Sequence, residues 1–173
     1  MKKYLVLALC LLILTVGHAQ NYTEYFANKT LRVDYIFTGD ASCQNVCLDE
    51  LSVLPSWAGR HQHLAELPLQ GNGQIIMKDL ESGKTVYTTS FSSLFQEWLE
   101  TDEAKVVSKG FENTFLLPYP LRPVEIEITL LSPRKEVRTC LKHTVRPDDV
   151  LIHQKGTAHI TPHKYLLKSG ETD

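Results

Sequence analysis

The fold of this chain is decided by the segment VEIEITLLSPRKEVRTCLKHTV, residues 124–145. Apolar side chains alternate with polar ones over residues 124–130 and again over residues 137–145. This period of two predicts two strands that each bury one face. Residues 132–135, Ser-Pro-Arg-Lys, are typical of a turn with proline at its second position, so the segment predicts an antiparallel hairpin.

One register of this hairpin places like side chains together on both faces. It pairs Leu131 with Glu136 and brings an opposite-charge pair face to face, which stabilises a sheet. The pairs that follow from it are Ile126 with Leu141, Ile128 with Thr139, and Glu125 with Lys142.

Shorter segments elsewhere predict strands because they are β-rich runs bounded by turn-forming residues, and residues 31–37 also alternate. Gly39-Asp40 ends the first strand, and the turn 81–84 joins a second hairpin because Gly83 accepts conformations that other residues avoid. The predicted strands are residues 31–37, 48–54, 74–80, 85–89 and 150–153.

One short amphipathic helix is predicted after the second hairpin, with Ser92 as its N-cap. Apolar residues recur there at helical spacing. They are Phe91, Leu94, Phe95, Trp98 and Leu99.

Residues 117–123 contain three prolines, which predicts an extended connection and excludes a central strand. Many short antiparallel strands, one short helix and proline-rich connections are typical of a mainly β protein. The sequence therefore predicts an antiparallel β-sandwich.

The N-terminus has the order of a secretory signal peptide. Lys2 and Lys3 precede the apolar run 4–16, and the small residues Gly17 and Ala19 place a cleavage site before Gln20. We expect residues 1–19 to be removed, residues 20–155 to form the β-domain, and residues 156–173 to be a linker. The expected location is the periplasm, the cell surface or the medium.

Charge and composition limit the classes of partner. Removing Lys2 and Lys3 from 18 basic residues leaves 16 against 20 acidic ones, spread without runs. This balance argues against a nucleic-acid partner. No segment after residue 19 is apolar enough to span a membrane.

Three cysteines remain after cleavage: Cys43, Cys47 and Cys140. An odd number in an oxidising compartment leaves at least one free thiol or an intermolecular bond. A local bridge between Cys43 and Cys47 is one alternative, and the pairing stays open.

The sequence indicates neither a catalytic nor a metal site. Residues 82–85 match the end of a phosphate-binding loop, but Lys78 stands where that loop needs glycine. His159 and His163 have the spacing of a helical zinc pair, yet Pro162 lies between them. His61 and His63 offer two ligands without a third.

Several blocks in the right order resemble the N-terminal domain of bacterial IgA-peptidase-type zinc metallopeptidases (peptidase family M, number sixty-four). The resemblance runs from about Thr30 through most of the chain. The blocks are TLRVDYIFTG (30–39), LDELS (48–52), WAGR (57–60), GNG (71–73), SFSSLFQEWL (90–99), FEN (111–113) and LLPYP (116–120).

This resemblance implies a β-sandwich placed ahead of a zinc-dependent catalytic domain that carries a His-Glu-x-x-His helix. That motif is absent from the chain. No catalytic or zinc-binding residue is therefore carried over, no cofactor is expected for this domain, and zinc belongs to the catalytic domain.

Two functions follow as hypotheses. The first is a non-catalytic accessory domain that packs on a metallopeptidase catalytic domain, in cis or in trans, and would carry an exposed apolar patch. The second is a free-standing secreted module that binds a glycan or a host glycoprotein in a concave aromatic cluster. Trp57 and Tyr119 are the residues that we expect on the interaction surface.

Overall fold

The computed structural model describes residues 21–66, 71–131 and 136–156, and this part of the chain forms two packed four-stranded sheets. The predicted signal peptide, most of the predicted linker, and the residues His159 and His163 lie outside the described residues. No helix among the described residues is long and apolar enough to cross a bilayer.

The elements follow one another as short helix, strands and connections. In chain order they are α1 (Tyr22–Tyr25), β1 (Phe26–Asp40), β2 (Cys43–Leu54), β3 (Gly73–Asp79), β4 (Thr85–Phe91), α2 (Leu94–Trp98), a 3-10 helix (Glu103–Lys105), β5 (Lys109–Pro120), β6 (Val124–Leu131), β7 (Val137–Val145) and β8 (His153–Gln154).

The first sheet has the order β5-β1-β2-β8 and the second has the order β4-β3-β6-β7. All pairs are antiparallel except β2 with β8. This confirms the predicted antiparallel β-sandwich with few helical residues.

The core lies between the two sheets because every second side chain of each inner strand points inward. Strand β1 shows this most clearly, with four alternating apolar residues that are at most 1% exposed. These residues are Leu31, Val33, Tyr35 and Phe37, and they face Ile75, Met77, Ile126 and Ile128 of the second sheet.

The structure changes the predicted register of the β6–β7 hairpin. Ile126 lies opposite His143, and Glu127, not Glu125, lies opposite Lys142. A bulge between Ile128 and Thr129 shifts the pairing within the hairpin. The predicted alternation survives over residues 124–128 because a shift of two residues leaves each side chain on its own face, and beyond the bulge the shift is one residue.

The predicted helix is shorter and begins later. Ser93, not Ser92, is the N-cap, and its hydroxyl accepts a hydrogen bond from the backbone N–H of Gln96 (3.3 Å). Phe91 pairs with Gly73 as the last residue of β4, and Leu94 is 72% exposed. Strand pairing therefore takes precedence over helical spacing at the start of this segment.

The proline-rich connection is also shorter than expected. Pro118 and Pro120 belong to β5, which lies at the edge of its sheet, and only residues 121–123 connect it to β6. An edge strand tolerates the missing N–H groups because one side of its backbone has no neighbour. Likewise, the last strand is not residues 150–153 but His153–Gln154.

The sandwich has two ends, which we name by their elements. At the helix end, the β1–β2 turn meets the 3-10 helix, where the N–H of Ala41 donates to the carbonyl of Ala104 (2.9 Å). At the exit end, β1 begins and β7 stops, and the chain leaves beside β2, where the N–H of Lys155 donates to the carbonyl of Val53 (3.1 Å).

Candidate functional site

The β3–β4 and β5–β6 connections converge beside α1 at the exit end and form an open cleft of about 330 Å³. The N–H of Leu80, after β3, donates to the carbonyl of Pro123 (3.0 Å), and the N–H of Leu121 donates to the carbonyl of Tyr25 (2.8 Å). The cleft is lined by Asp79, Leu80, Glu81, Arg122 and Pro123. We call it the exit-end cleft.

Two leucines give this region an exposed apolar surface. Leu80 is 45% exposed and lines the cleft, and Leu121 is 50% exposed in the connection beside it. Exposed leucines around a concavity are typical of surfaces that another protein covers.

Asp79 is almost fully buried and serves the β3–β4 turn. Its Oδ2 accepts hydrogen bonds from the backbone N–H of Ser82 (2.9 Å) and from the Ser82 hydroxyl (2.5 Å). The Ser82 hydroxyl contributes most to lowering the pKa of Asp79, and the charge of Arg122 contributes least. The carboxylate therefore holds the turn and is not offered to a ligand.

Two cations flank the ring of Tyr25 at this end. The Lys84 Nζ lies 5.4 Å from the ring centroid and the Arg122 Cζ lies 5.6 Å from it. Lys84 also donates to the Tyr25 hydroxyl (3.4 Å), and Arg122 donates to the backbone carbonyl of Glu24 (3.4 Å). Both contacts position a cation at an exposed surface.

The segment between β7 and β8 adds two exposed apolar residues. Val150 is 92% exposed and Leu151 is 73% exposed. The neighbouring Asp149 fixes their backbone, because its carbonyl accepts from the N–H of Ile152 (3.2 Å) and its carboxylate accepts from the N–H of Leu151 (2.9 Å). These side chains therefore face outward on an ordered turn.

The structure places the two predicted surface residues differently. Trp57 is only 9% exposed, because its ring packs against Tyr87 and its indole N–H donates to the carbonyl of Arg60 (3.1 Å). Trp57 thus lies in the core and does not present its ring to a partner. Tyr119 is half-buried, and its hydroxyl donates to the carbonyl of Pro147 (2.8 Å).

The remaining candidates do not assemble into a site. His61 packs edge-on against Tyr22 with ring centroids 4.3 Å apart, and His63 contacts Glu66. Within residues 21–66, 71–131 and 136–156, no three His, Cys, Asp or Glu side chains are close enough to hold a metal ion. Cys43 and Cys47 are free and exposed.

At the helix end, a second aromatic surface is closed by its own charges. Trp98 is half-exposed, and its indole N–H donates to Glu103 Oε2 (2.9 Å). Lys109 Nζ lies 5.6 Å from the Trp98 ring centroid and 2.6 Å from Glu103 Oε1. Since the N–H and one face of Trp98 are occupied, this cluster lacks the open ring expected of a glycan platform.

Sequence reasoning missed the residues of the exit end. Tyr25, Lys84 and Arg122 come from α1, the β3–β4 turn and the β5–β6 connection, and they form no local motif. Only the convergence of α1 with these two connections brings them together. The predicted strand 74–80 includes Leu80, but β3 ends one residue earlier, at Asp79, and this leaves Leu80 exposed.

The comparisons with known proteins agree with this architecture. A family model described as "Peptidase M64 N-terminus" matches residues 21–142. No curated protein matches the chain. The matched residues run from the start of α1 into β7 and so include most of both sheets. The chain therefore belongs to the family of peptidase N-terminal domains that this model describes.

Proposed function

We propose that this chain is a non-catalytic accessory domain of an exported zinc metallopeptidase, and that it packs on the catalytic domain through its exit end. The observation that carries the proposal is the exit-end cleft with its exposed leucines, Leu80 and Leu121. The family match supports a peptidase domain as the partner.

The position of the chain exit supports the choice of this end. Lys155 is hydrogen-bonded beside the last residues of β2, so whatever follows Gly156 starts at this end of the sandwich. A domain joined there in cis meets the exit end first. A catalytic domain on another chain would use the same surface in trans.

The chemistry of the surface suits a domain interface. Protein interfaces combine an apolar centre with a polar rim. Here Leu80, Leu121 and Pro123 supply apolar area, and Arg122 and Lys84 supply charges at the margin. The role that follows is to stabilise the catalytic domain or to shape the access of substrate to it.

Binding to a separately produced catalytic domain tests this proposal. The probe is the catalytic domain of a full-length peptidase whose own N-terminal region matches the same family model, and isothermal titration calorimetry measures the affinity. We expect Leu121→Ser and Leu151→Ser each to weaken binding about tenfold or more, because each removes apolar area from the interface.

The helix end supplies matched controls. Leu94 and Val106 are 72% and 83% exposed, so Leu94→Ser and Val106→Ser change a similar exposed area away from the cleft. These variants should bind like the unchanged chain. Absence of binding, or an equal loss in the variants of both ends, would overturn the proposal.

A further inference from the structure

We infer that Lys84 and Arg122, which both lie beside Tyr25, bind a carboxylate of the peptidase catalytic domain. The inference rests on the proposed function and deepens it, since it names the chemical group that the partner brings to the exit end. The occupant is an acidic side chain next to an apolar one on the catalytic domain.

Lys84 and Arg122 carry their charges at the surface of the exit end. Both residues are exposed, and both are held in place through Tyr25 and its neighbours. Among the ion pairs of the described residues, none includes Lys84 or Arg122 within 4.0 Å. The two charges are therefore held in place without a direct ion-pair partner, and the charge of Arg122 also acts at longer range on the Asp79 carboxylate.

The helix end contains a similar group of a cation and an aromatic ring, and there a carboxylate of the same chain completes it. At the helix end, Lys109 lies over Trp98, and Glu103 bonds both of them. At the exit end, two cations lie beside Tyr25 and the corresponding carboxylate is missing from their direct contacts. A carboxylate that approaches from a partner would complete the same arrangement.

Two acidic residues, Asp79 and Glu81, line the same cleft as Arg122. Asp79 is buried and already accepts two hydrogen bonds from Ser82, so it is engaged within its own turn. Glu81 lines the cleft and is exposed, and Arg122 uses a backbone carbonyl, that of Glu24. The guanidinium keeps donors for a carboxylate because it carries five N–H groups.

A carboxylate is the partner group that fits these two cations. Arginine binds a carboxylate through two parallel hydrogen bonds, and such a bond gains strength when an interface excludes water. Leu80, Leu121 and Pro123 provide the apolar surroundings. Charge complementarity therefore favours an acidic residue flanked by an apolar one over a purely apolar contact.

Charge reversal tests the inference with the same catalytic-domain probe. We expect Lys84→Glu and Arg122→Glu each to weaken binding about tenfold or more, because each places a negative charge against the partner's carboxylate. The double variant should lose more. The affinity of the unchanged chain should fall as salt rises from about 0.05 to 0.5 M, and this dependence should be smaller in the double variant.

A same-end control separates a specific site from the general charge of this surface. Lys29 is exposed in the early part of β1, next to the exit end. Lys29→Glu therefore makes the same change of charge outside the cleft and should bind normally. Arg122→Gln should weaken binding less than Arg122→Glu, since it removes the charge without reversing it. Urea unfolding of each variant confirms that the fold is intact.

The outcomes distinguish the two proposals. If the catalytic domain binds and the Leu121 variant weakens it, while the Lys84 and Arg122 variants match Lys29→Glu, the carboxylate contact is wrong and the accessory function stands. If the catalytic domain does not bind at all, both are wrong. If heparin binds with the same dependence on Arg122 and the catalytic domain does not, the site belongs to an anionic glycan and the inference is overturned.

Discussion

The two ends of the sandwich use the same local chemistry and complete it differently. Each places a cation against an aromatic ring near the surface: Lys109 over Trp98 at the helix end, and Lys84 and Arg122 beside Tyr25 at the exit end. At the helix end, Glu103 closes the group from within the chain. Under the proposed function, the carboxylate that Glu103 supplies at the helix end comes from the partner at the exit end.

Aromatic rings pack beneath both surfaces, and at the exit end the buried ring of Phe26 contacts Tyr22 and Tyr87 at centroid distances of 5.5 and 6.3 Å. At the helix end, the fully buried ring of Phe95 contacts Phe37, Phe111 and Trp98 at centroid distances of 5.5–6.1 Å. At the exit end, a cleft opens between the connections. The comparison therefore predicts that the helix end contributes to stability and that the exit end contributes to binding.

The largest expected effect is on stability at the helix end. Phe95→Ala removes a fully buried ring and leaves a cavity, which costs about 3–5 kcal/mol of unfolding free energy. Urea denaturation followed by circular dichroism measures the change. Leu94→Ala, one residue away and 72% exposed, should change stability by about 0.5 kcal/mol or less. Equal losses in the two variants would contradict a closed helix end.

The next effect tests whether the two ends unfold as one unit. His143 is half-buried on β7 between the two ends, and its Nε2 lies 2.6 Å from the Tyr35 hydroxyl. Burial lowers the pKa of His143 below its ordinary value of 6.5, and the nearby backbone of Thr144 opposes this in part. The folded state therefore favours the neutral ring.

The sign of the pH dependence follows directly. Above about pH 6.5, the ring is neutral in both states and the full stability is present. As the pH falls below 6.5, the unfolded chain takes up a proton that the folded chain refuses, so stability falls, by at most about 1.4 kcal/mol per pH unit from this group. His143→Gln should flatten the slope of unfolding free energy between pH 6.5 and 5.

A matched control and two probes make this test specific. His153→Gln serves as the control substitution, because it replaces an exposed histidine beside Glu50 and leaves His143 in place. The sequence has two tryptophans, Trp57 near the exit end and Trp98 at the helix end. Trp98→Phe and Trp57→Phe therefore leave one fluorescent probe at each end. A fluorescence midpoint that differs from the circular-dichroism midpoint of the same variant would show that the ends are independent units.

The smallest effect sharpens the contrast between the surfaces. The side-chain contact with Lys109 contributes most to lowering the pKa of Glu103, followed by its hydrogen bond from Trp98. This carboxylate therefore stays ionised below its ordinary pKa and releases Trp98 only as the pH falls through its lowered value. In the Trp57→Phe chain, we expect a change of Trp98 fluorescence below about pH 4.5.

Glu103→Gln should remove this change, because the amide at position 103 does not titrate. The Trp57 signal of the Trp98→Phe chain should not follow Glu103, since Trp57 bonds a backbone carbonyl. The same Trp98 fluorescence change in Glu103→Gln and in the chain that keeps Glu103 would contradict the contacts of Glu103 with Trp98 and Lys109.

Local alternation predicted most of the sandwich. Strand β1 and the hairpins β3–β4 and β6–β7 follow from the period of two, because one buried face selects the face of each side chain. The predictions failed where a long-range pairing decides. The pairing of Phe91 with Gly73 shortened the helix, and the pairing of Phe26 with Pro120 lengthened β1 at its start.

The candidate site shows the limit more sharply. Trp57 is predicted on the interaction surface as an exposed aromatic residue, and a partner 30 residues later, Tyr87, packs against it. The cations of the exit end carried no pattern at all. A cluster formed by one helix and two distant connections has no period or spacing in the sequence, so reasoning from motifs does not detect it.

The sequence by itself determined the fold class, the faces of the main strands and, through the blocks that it shares with a peptidase family, the kind of domain. These are properties of neighbouring residues, where backbone geometry and burial act within a few positions. The tertiary structure decided the register of β6 and β7, the burial of Trp57 and the meeting of Lys84 and Arg122 at Tyr25. Those depend on which distant segments pack together, and packing is settled only when the two sheets close over one core.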